Sequence, residues 1–442
     1  MLHRAAAMTT ALDVWAFLLP ALSFLQFKLF GQLIVSEMLA LAILPWLLRS
    51  RERLPVPRWL IGLWGAWLVF QIVTDIVVHS AFADWTRGWA AIIFTLIDLA
   101  AILVLAATPR RARLFALGLA AGGILGYVFA PNPYVAGDPW KWAFAVPVAF
   151  ILAAVLSGAA TERRPWLAVG TFAAFGVINA FLGFRSMSGI ALITAAYLLL
   201  AVIVTGRRRL QLRTVKRAAA GLAYYGAAAV VVFVGLNAAT EANLFGEAAR
   251  TKYEVQTGAN AAASPIAAAS PVVAASPIAA ASPIAAANPL LVLLGGRPEV
   301  VSSTRAILDS PILGHGSWAK DARYVEVWRQ GLTDLNILVG NQLADPNLIP
   351  AHSYLMQSWV WAGLAGGLFW LAIAALALWL MGNLYALRVA LSPLIVFATT
   401  AQLWNIAFSP YGNTQRLFAA FSIAVCLLGL RQGRVRDLLQ QR

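Results

Sequence analysis

Charge is scarce in this chain of 442 residues: Asp, Glu, Lys and Arg make up 12% against 61% hydrophobic residues, and only 18 of the charged side chains are acidic. So little charge cannot cover a soluble surface, and a mean hydropathy of +0.76 places most of that surface in lipid. Cysteine is nearly missing. Its single representative, Cys426, lies inside the last apolar run, which excludes a disulfide framework and a thiol metal site. No Asp-x-Asp pair occurs anywhere, so the carboxylate pair that often holds a divalent cation against a diphosphate is missing, and neither a metal nor another cofactor is expected. The formal net charge of +15 would suggest nucleic acid in a soluble protein. Here the basic residues sit in short links between apolar runs, where they report topology, and no nucleic-acid partner is expected.

What is present is apolar sequence in long runs. About 20 helical residues cross a hydrocarbon core of roughly 30 Å. Runs of that order lie near 11–27, 30–48, 59–78, 86–107, 112–131, 142–160, 166–182, 187–205, 218–238, 353–381, 389–408 and 415–430. The expectation is an all-α polytopic membrane protein with about twelve transmembrane helices. Nine fall in 1–238, a long segment occupies 239–352, and three helices with a basic tail fill 353–442. The start carries one arginine and no small-residue cleavage pattern, so the first run is expected to be a retained span.

Every second link is basic. Arg49, Arg51, Arg53 and Arg58 share one, Arg110, Arg111 and Arg113 another, then Arg163 and Arg164, then Arg207 to Arg217, Arg388, and finally Arg431 to Arg442. The positive-inside rule then predicts both termini in the cytoplasm. By the same count Lys28, Arg87, Lys141, Arg185, Arg416 and the segment 239–352 face outward.

That outward segment has two parts. From Ser264 to Pro289 a six-residue Ser-Pro-Ile-Ala-Ala-Ala unit repeats, and proline at every sixth position argues against a continuous helix, leaving a spacer of extended turns. After it, Pro298 to Ser310 has helical character and stops at Pro311. The Gly314-His315-Gly316-Ser317 turn leads into an amphipathic stretch from Tyr324 to Gln342, too little chain for a core of its own.

Three outward residues carry the chemistry. Arg185 stands in a very short link, where it either snorkels to the interface or forks two phosphate oxygens at headgroup depth. Arg297 follows Gly295-Gly296, a pair that lets the backbone approach a ligand and equally makes a plain turn. His352 stands where the long segment re-enters an apolar helix, and histidine exchanges a proton near neutral pH. A lone interfacial histidine is also an ordinary hydrogen-bonding residue. Together the three are expected to form an anion and hydroxyl site suited to sugar transfer from a lipid diphosphate, with two or three arginines supplying the positive charge. Glu37, Asp75 and Asp98 lie within predicted spans, as partners of Lys28, Arg87 or Arg185 or as relays in a transporter. Trp318, Trp328, Trp359 and Trp361 lie near enough to this mouth to stack on sugars, or serve as belt and core.

Four stretches bring a known family into view. They are Arg185 with Ser186 and Gly189, Gly296-Arg297, Pro311-Ile312-Leu313-Gly314-His315-Gly316-Ser317, and His352-Ser353-Tyr354-Leu355-Met356-Gln357 followed by Gly363 and Gly366. In these the chain resembles the O-antigen ligase and O-antigen polymerase superfamily, and most of all its lipopolysaccharide ligase branch. The resemblance covers about 165 to 370; the Ser-Pro repeat departs from it. It implies a GT-C type glycosyltransferase of the bacterial inner membrane, acting without metal on the periplasmic face. The donor it implies is O-antigen on undecaprenyl diphosphate and the acceptor is lipid A-core. Under this reading Arg185, Arg297 and Arg416 bind the diphosphate and His352 handles the acceptor hydroxyl. Tyr354, Gln357, His315, Lys28 and Arg87 are further candidates for substrate contact. Polymerisation of O-units, glycan transfer to protein and secondary transport are the competing functions, although no repeat relates the two halves of the chain as many transporters require.

Overall fold

Lipid offers backbone groups no hydrogen-bond partner, so an apolar chain in a bilayer satisfies them within helices. The computed structural model follows that rule and describes residues 2–29, 31–50, 52–131, 135, 137–158, 164–206, 214–257, 297–334, 347–384, 392–412 and 415–440. The Ser-Pro repeat at 264–289, Gly295-Gly296, the end of the expected 324–342 helix and the basic residues at 51, 163, 207–213, 388 and 442 lie outside them. A helix lies at each of the twelve apolar runs: α1 (Leu2–Ala21), α2 (Val35–Leu47), α3 (Arg58–Val77), α4 (Phe82–Leu105), α5 (Pro109–Phe129), α6 (Ala145–Val155), α7 (Pro165–Phe181), α8 (Arg185–Gly206), α9 (Thr214–Glu241), α13 (Tyr354–Leu384), α14 (Ser392–Phe408) and α15 (Gln415–Gln440). Between α9 and α13 come α10 (Glu247–Thr257), α11 (Glu299–Asp309) and α12 (Ala322–Asp334). Among the described residues six helices, α3, α4, α5, α8, α9 and α13, are long and apolar enough to cross a membrane. The chain is an α-helical, multi-pass membrane protein.

Two departures from uninterrupted helix shape the bundle. The first run ends at Ala21, and a 3-10 turn (Leu22–Phe24) leads into a hairpin of β1 (Gln26–Leu29) and β2 (Gly31–Ile34), antiparallel with Gln26 opposite Ile34 and Lys28 opposite Gln32. Polar and apolar residues alternate there, Gln26, Phe27, Lys28, Leu29, which is the two-residue period of a strand. The hairpin leaves α2 only 13 residues. The second departure is the run at 353–381, where Ala362 (φ −117°, ψ 16°) and Gly363 (φ 59°, ψ −148°) break α13 into two arms.

Helices in lipid gain little from hydrophobic burial against one another and associate through close packing and buried polar contacts. Aromatic rings fill the centre: Phe115 stacks on Phe421 at 4.9 Å, Phe150 meets Phe397 edge-on at 5.5 Å, and Trp67 stacks on Phe369 at 4.8 Å. Where α9 crosses α13, a β-carbon on Gly221 would lie 2.3 Å from the Gly382 carbonyl oxygen, so only glycine permits the approach. The outward faces stay apolar, with Ile61, Phe129, Val230 and Val231 exposed.

Among the described residues the basic links gather at one end. Leu54 N donates to Leu103 O at 2.9 Å, Arg111 pairs with Glu52 at 2.6 Å, and Leu394 N donates to Ser157 Oγ at 2.9 Å. The opposite end carries the α3–α4 link, the N-terminus of α8, α10 to α12 and the C-terminus of α14. There a small second core unites Ala306, Ile307, Ala319, Tyr324 and Ile349 with Val360 and Trp361 of α13. Seven residues are too few to stand alone, so α11 and α12 borrow the membrane helix as their floor.

Candidate functional site

The site is built on the break in α13. Its first arm, 354–361, doubles back along the second: Trp370 Nε1 donates to Ser358 Oγ at 2.8 Å and the Tyr354 and Trp370 rings lie 4.9 Å apart. A descending helix that simply begins at His352 is therefore not what the chain forms. The residue lies at the foot of the first arm, about 12 Å from the turn, from the arm's eight residues at roughly 1.5 Å each. Each arm end at the break has backbone groups lacking a helical partner. The 312–316 turn supplies them: His315 N donates to Val360 O at 2.7 Å, Gly316 N to Trp361 O at 3.1 Å, and Leu364 N donates to Ile312 O at 3.1 Å.

Asp75 pins that turn to the bundle. Its carboxylate accepts from Ser317 N at 2.6 Å, Ser317 Oγ at 2.7 Å, Ser80 Oγ at 2.7 Å, Trp89 Nε1 at 2.8 Å and Gln71 Nε2 at 3.2 Å. Neutral donors thus take the place of the basic partner expected for Asp75, because five of them deliver enough hydrogen bonding to hold a buried carboxylate.

At the foot of the arm, Arg297, Glu299 and His352 come together. His352 Nδ1 lies 3.9 Å from Glu299 Oε1, and the His352 side chain is 43% exposed, open to a ligand. Arg297, immediately ahead of α11, donates from Nε to the Phe408 carbonyl at 2.7 Å, which ties the cluster to the end of α14. Burial pulls the His352 imidazole below its ordinary value; Glu299 works against that and Arg297 with it. Burial also lowers Arg297, with Glu299 opposing. The geometry suits a neutral imidazole beside a guanidinium, able to take a proton where an anion binds.

Glu299 was not among the candidates drawn from sequence. In the first turn of a helix an acidic residue is an ordinary partner for the macrodipole, and only the fold reveals the imidazole beside it. Its spacing of two from Arg297 was the one available signal.

Arg185 begins α8 at this same end of the bundle. Its Nη2 donates to the Ala249 carbonyl at 2.6 Å and its guanidinium lies 5.5 Å from the centre of the Tyr253 ring, so α10 holds it in place. The helix packing sets the end: α8 runs beside α7, α9 and α14, and its Tyr197 bonds to the Met381 carbonyl near the far end of α13.

Arg416 is a correction. It was expected as a third ligand of the diphosphate, yet its side chain is 7% exposed and meets fully buried Glu37, with Nε 2.7 Å from Oε1 and Nη2 donating to Oε2 at 2.9 Å. A charge carried into a dry bundle must be paired, and this pairing occupies the guanidinium. Asp98 lies in the same charged group, fully buried.

Tyr354 and Gln357 are likewise built into the protein. Tyr354 is fully buried and donates to Gln415 Oε1 at 2.8 Å; the Gln357 amide clasps the Tyr411 backbone at 2.8 and 2.9 Å. His315 Nε2 bonds to the Ala306 carbonyl at 2.7 Å and its ring meets Tyr324 at 5.2 Å, so it braces the turn. Arg87 pairs with Asp84 at 3.8 Å and lies over Trp318 at 5.7 Å. Lys28 takes its place in β1, and its side chain lies outside the described residues. Of the four tryptophans, Trp318 and Trp361 pack on each other, Trp328 is buried and Trp359 bonds to the Pro311 carbonyl.

Fold and site together define a multi-pass helical membrane protein with a His-Glu-Arg cluster at the foot of a folded-back helical arm. The chain matches no family model, no curated protein and no solved structure.

Proposed function

We propose that the chain is a glycosyltransferase of the O-antigen ligase kind, a GT-C type enzyme of twelve spans in a bacterial inner membrane. It moves O-antigen from undecaprenyl diphosphate to lipid A-core at the periplasmic face, by inversion and without metal. The observation that carries this reading is the meeting of Arg297 and His352 at the end of the bundle away from the basic links. The positive-inside rule makes the basic end cytoplasmic and the site periplasmic.

A sugar diphosphate already has a good leaving group, so catalysis needs charge stabilisation and an aimed hydroxyl. Arg297 and Arg185 bind the diphosphate. The acceptor oxygen bonds to the anomeric carbon as the carbon–oxygen bond to phosphate breaks, and that electron pair leaves with the phosphate oxygen. His352 takes the hydroxyl proton and returns it to solvent.

The test is transfer by the purified protein from a defined undecaprenyl-diphosphate glycan. Transfer to lipid A-core is expected, unchanged by chelator, with His352→Ala and Arg297→Ala each losing about 10² or more in rate while remaining folded. Full activity in either variant refutes the assignment, and loss of transfer with EDTA brings back a metal. Offering a second lipid-linked unit and a pilin-like acceptor in parallel separates ligase from polymerase and from protein glycosylation.

A further inference from the structure

Every proton-transfer scheme for an imidazole depends on which ring nitrogen holds the hydrogen, and a carboxylate on one side settles it. We propose that Glu299 is the positioning residue for His352, binding the Nδ1 hydrogen so that Nε2 faces the incoming hydroxyl. This rests on the glycosyl-transfer reading for its catalytic consequence, though not for its structural content.

The geometry supports it in three ways. Glu299 Oε1 is 3.9 Å from His352 Nδ1, longer than a hydrogen bond by about 1 Å, a gap of the sort that substrate binding closes in active sites. The second carboxylate oxygen, Oε2, is buried and has no hydrogen-bond partner among the described residues, so the carboxylate has capacity to spare. The two residues also ride on tethered elements. Ser302 Oγ of α11 donates to the Pro350 carbonyl at 3.2 Å, two residues before His352, and Ser353 Oγ donates to the Ile406 carbonyl at 2.7 Å. Sliding one without the other would break those bonds.

The charged groups acting on His352 are Glu299 and Arg297. The end of α14 meets this cluster through the Phe408 and Ile406 carbonyls, bonded to Arg297 and Ser353. Burial and Arg297 both lower the affinity of the imidazole for a proton, and Glu299 alone raises it. Removing the Glu299 charge must therefore lower it further, and the acidic limb of the kcat/KM profile, where His352 becomes protonated and inactive, must move to lower pH. A carboxylate that did not act on the imidazole would leave that limb where it is, and the ring tautomer separates a positioning acid from a charge that is merely near.

The experiment compares wild type with Glu299→Gln, Glu299→Asp and Glu299→Ala. Glu299→Ala is expected to lower kcat by roughly a hundredfold with little change in KM for lipid A-core, since orientation is lost and binding is not. Glu299→Asp restores part of the rate, and Glu299→Gln moves the acidic limb to lower pH. An unmoved limb in Glu299→Gln overturns the proposal, whether or not the rate falls. Nitrogen NMR of labelled histidine, with the His352 signal assigned from its loss in His352→Ala, reads the ring without any reaction. An Nδ1-protonated ring in wild type that redistributes in Glu299→Gln supports the pairing, and identical spectra overturn it. If wild type transfers no glycan yet the spectra differ, the glycosyl-transfer reading has failed and the pairing stands.

Discussion

Replacing Gly363 by alanine tests the turn on which the site hangs. At φ 59° and ψ −148° the backbone occupies a region that is nearly glycine's alone, and a side chain there costs about 1–3 kcal/mol. Space is a second obstacle. The new β-carbon would lie 1.9 Å from the Ile312 oxygen and 2.4 Å from its carbon, both backbone atoms that cannot rotate aside. Moving them strains the Leu364 N to Ile312 O bond of 3.1 Å, worth about 1 kcal/mol. The sum, roughly 2–4 kcal/mol, is a large share of the ~5–15 kcal/mol that holds a typical domain folded. Gly235→Ala is the control, a helical glycine with no atom within 4 Å of the added carbon. Thermal unfolding of both purified variants in the same detergent should show Gly363→Ala clearly destabilised and Gly235→Ala unchanged or slightly raised. Equal stability in the two would refute the account of the break and of the re-entrant arm.

Other outcomes follow from buried polar groups. Arg416→Ala leaves Glu37 uncompensated beside Asp98 and should cost about 3–5 kcal/mol of stability, read as lower yield and melting temperature, while donor KM of the surviving protein holds. A raised donor KM at normal stability would return Arg416 to the diphosphate. Asp75→Asn weakens charge-assisted bonds to Ser317, worth about 1.5–3 kcal/mol each, and should free the 312–317 turn to limited proteolysis. A wild-type digestion pattern would mean that the turn is held by its bonds to the arms alone.

Much of the plan of the bundle is legible in the residues, and the reason is solvent. Because lipid forbids unsatisfied backbone, each long apolar run must become helix, and helices do lie at all twelve runs. Six of them have the length and hydropathy to cross a membrane on those grounds. The hairpin at 26–34 escaped because its strands are four residues each, set inside a chain whose hydropathy already reads as span. Arg297 and His352 could be placed on one end by counting links. Counting gives a side of the bundle and no depth, which is why Arg416 was read as a surface cation when it is in fact buried with Glu37.

By itself, then, the order of residues determined the medium, the helices and the end of the bundle at which Arg185, Arg297 and His352 lie, since these depend on hydropathy and charge summed over short windows. The tertiary structure decided that α13 folds back at Gly363, that Asp75 is held by Ser317 some 240 positions away, and that Glu299 is the neighbour of His352. Those outcomes depend on which backbone atoms meet across distant segments, and a run of apolar letters carries no record of such meetings.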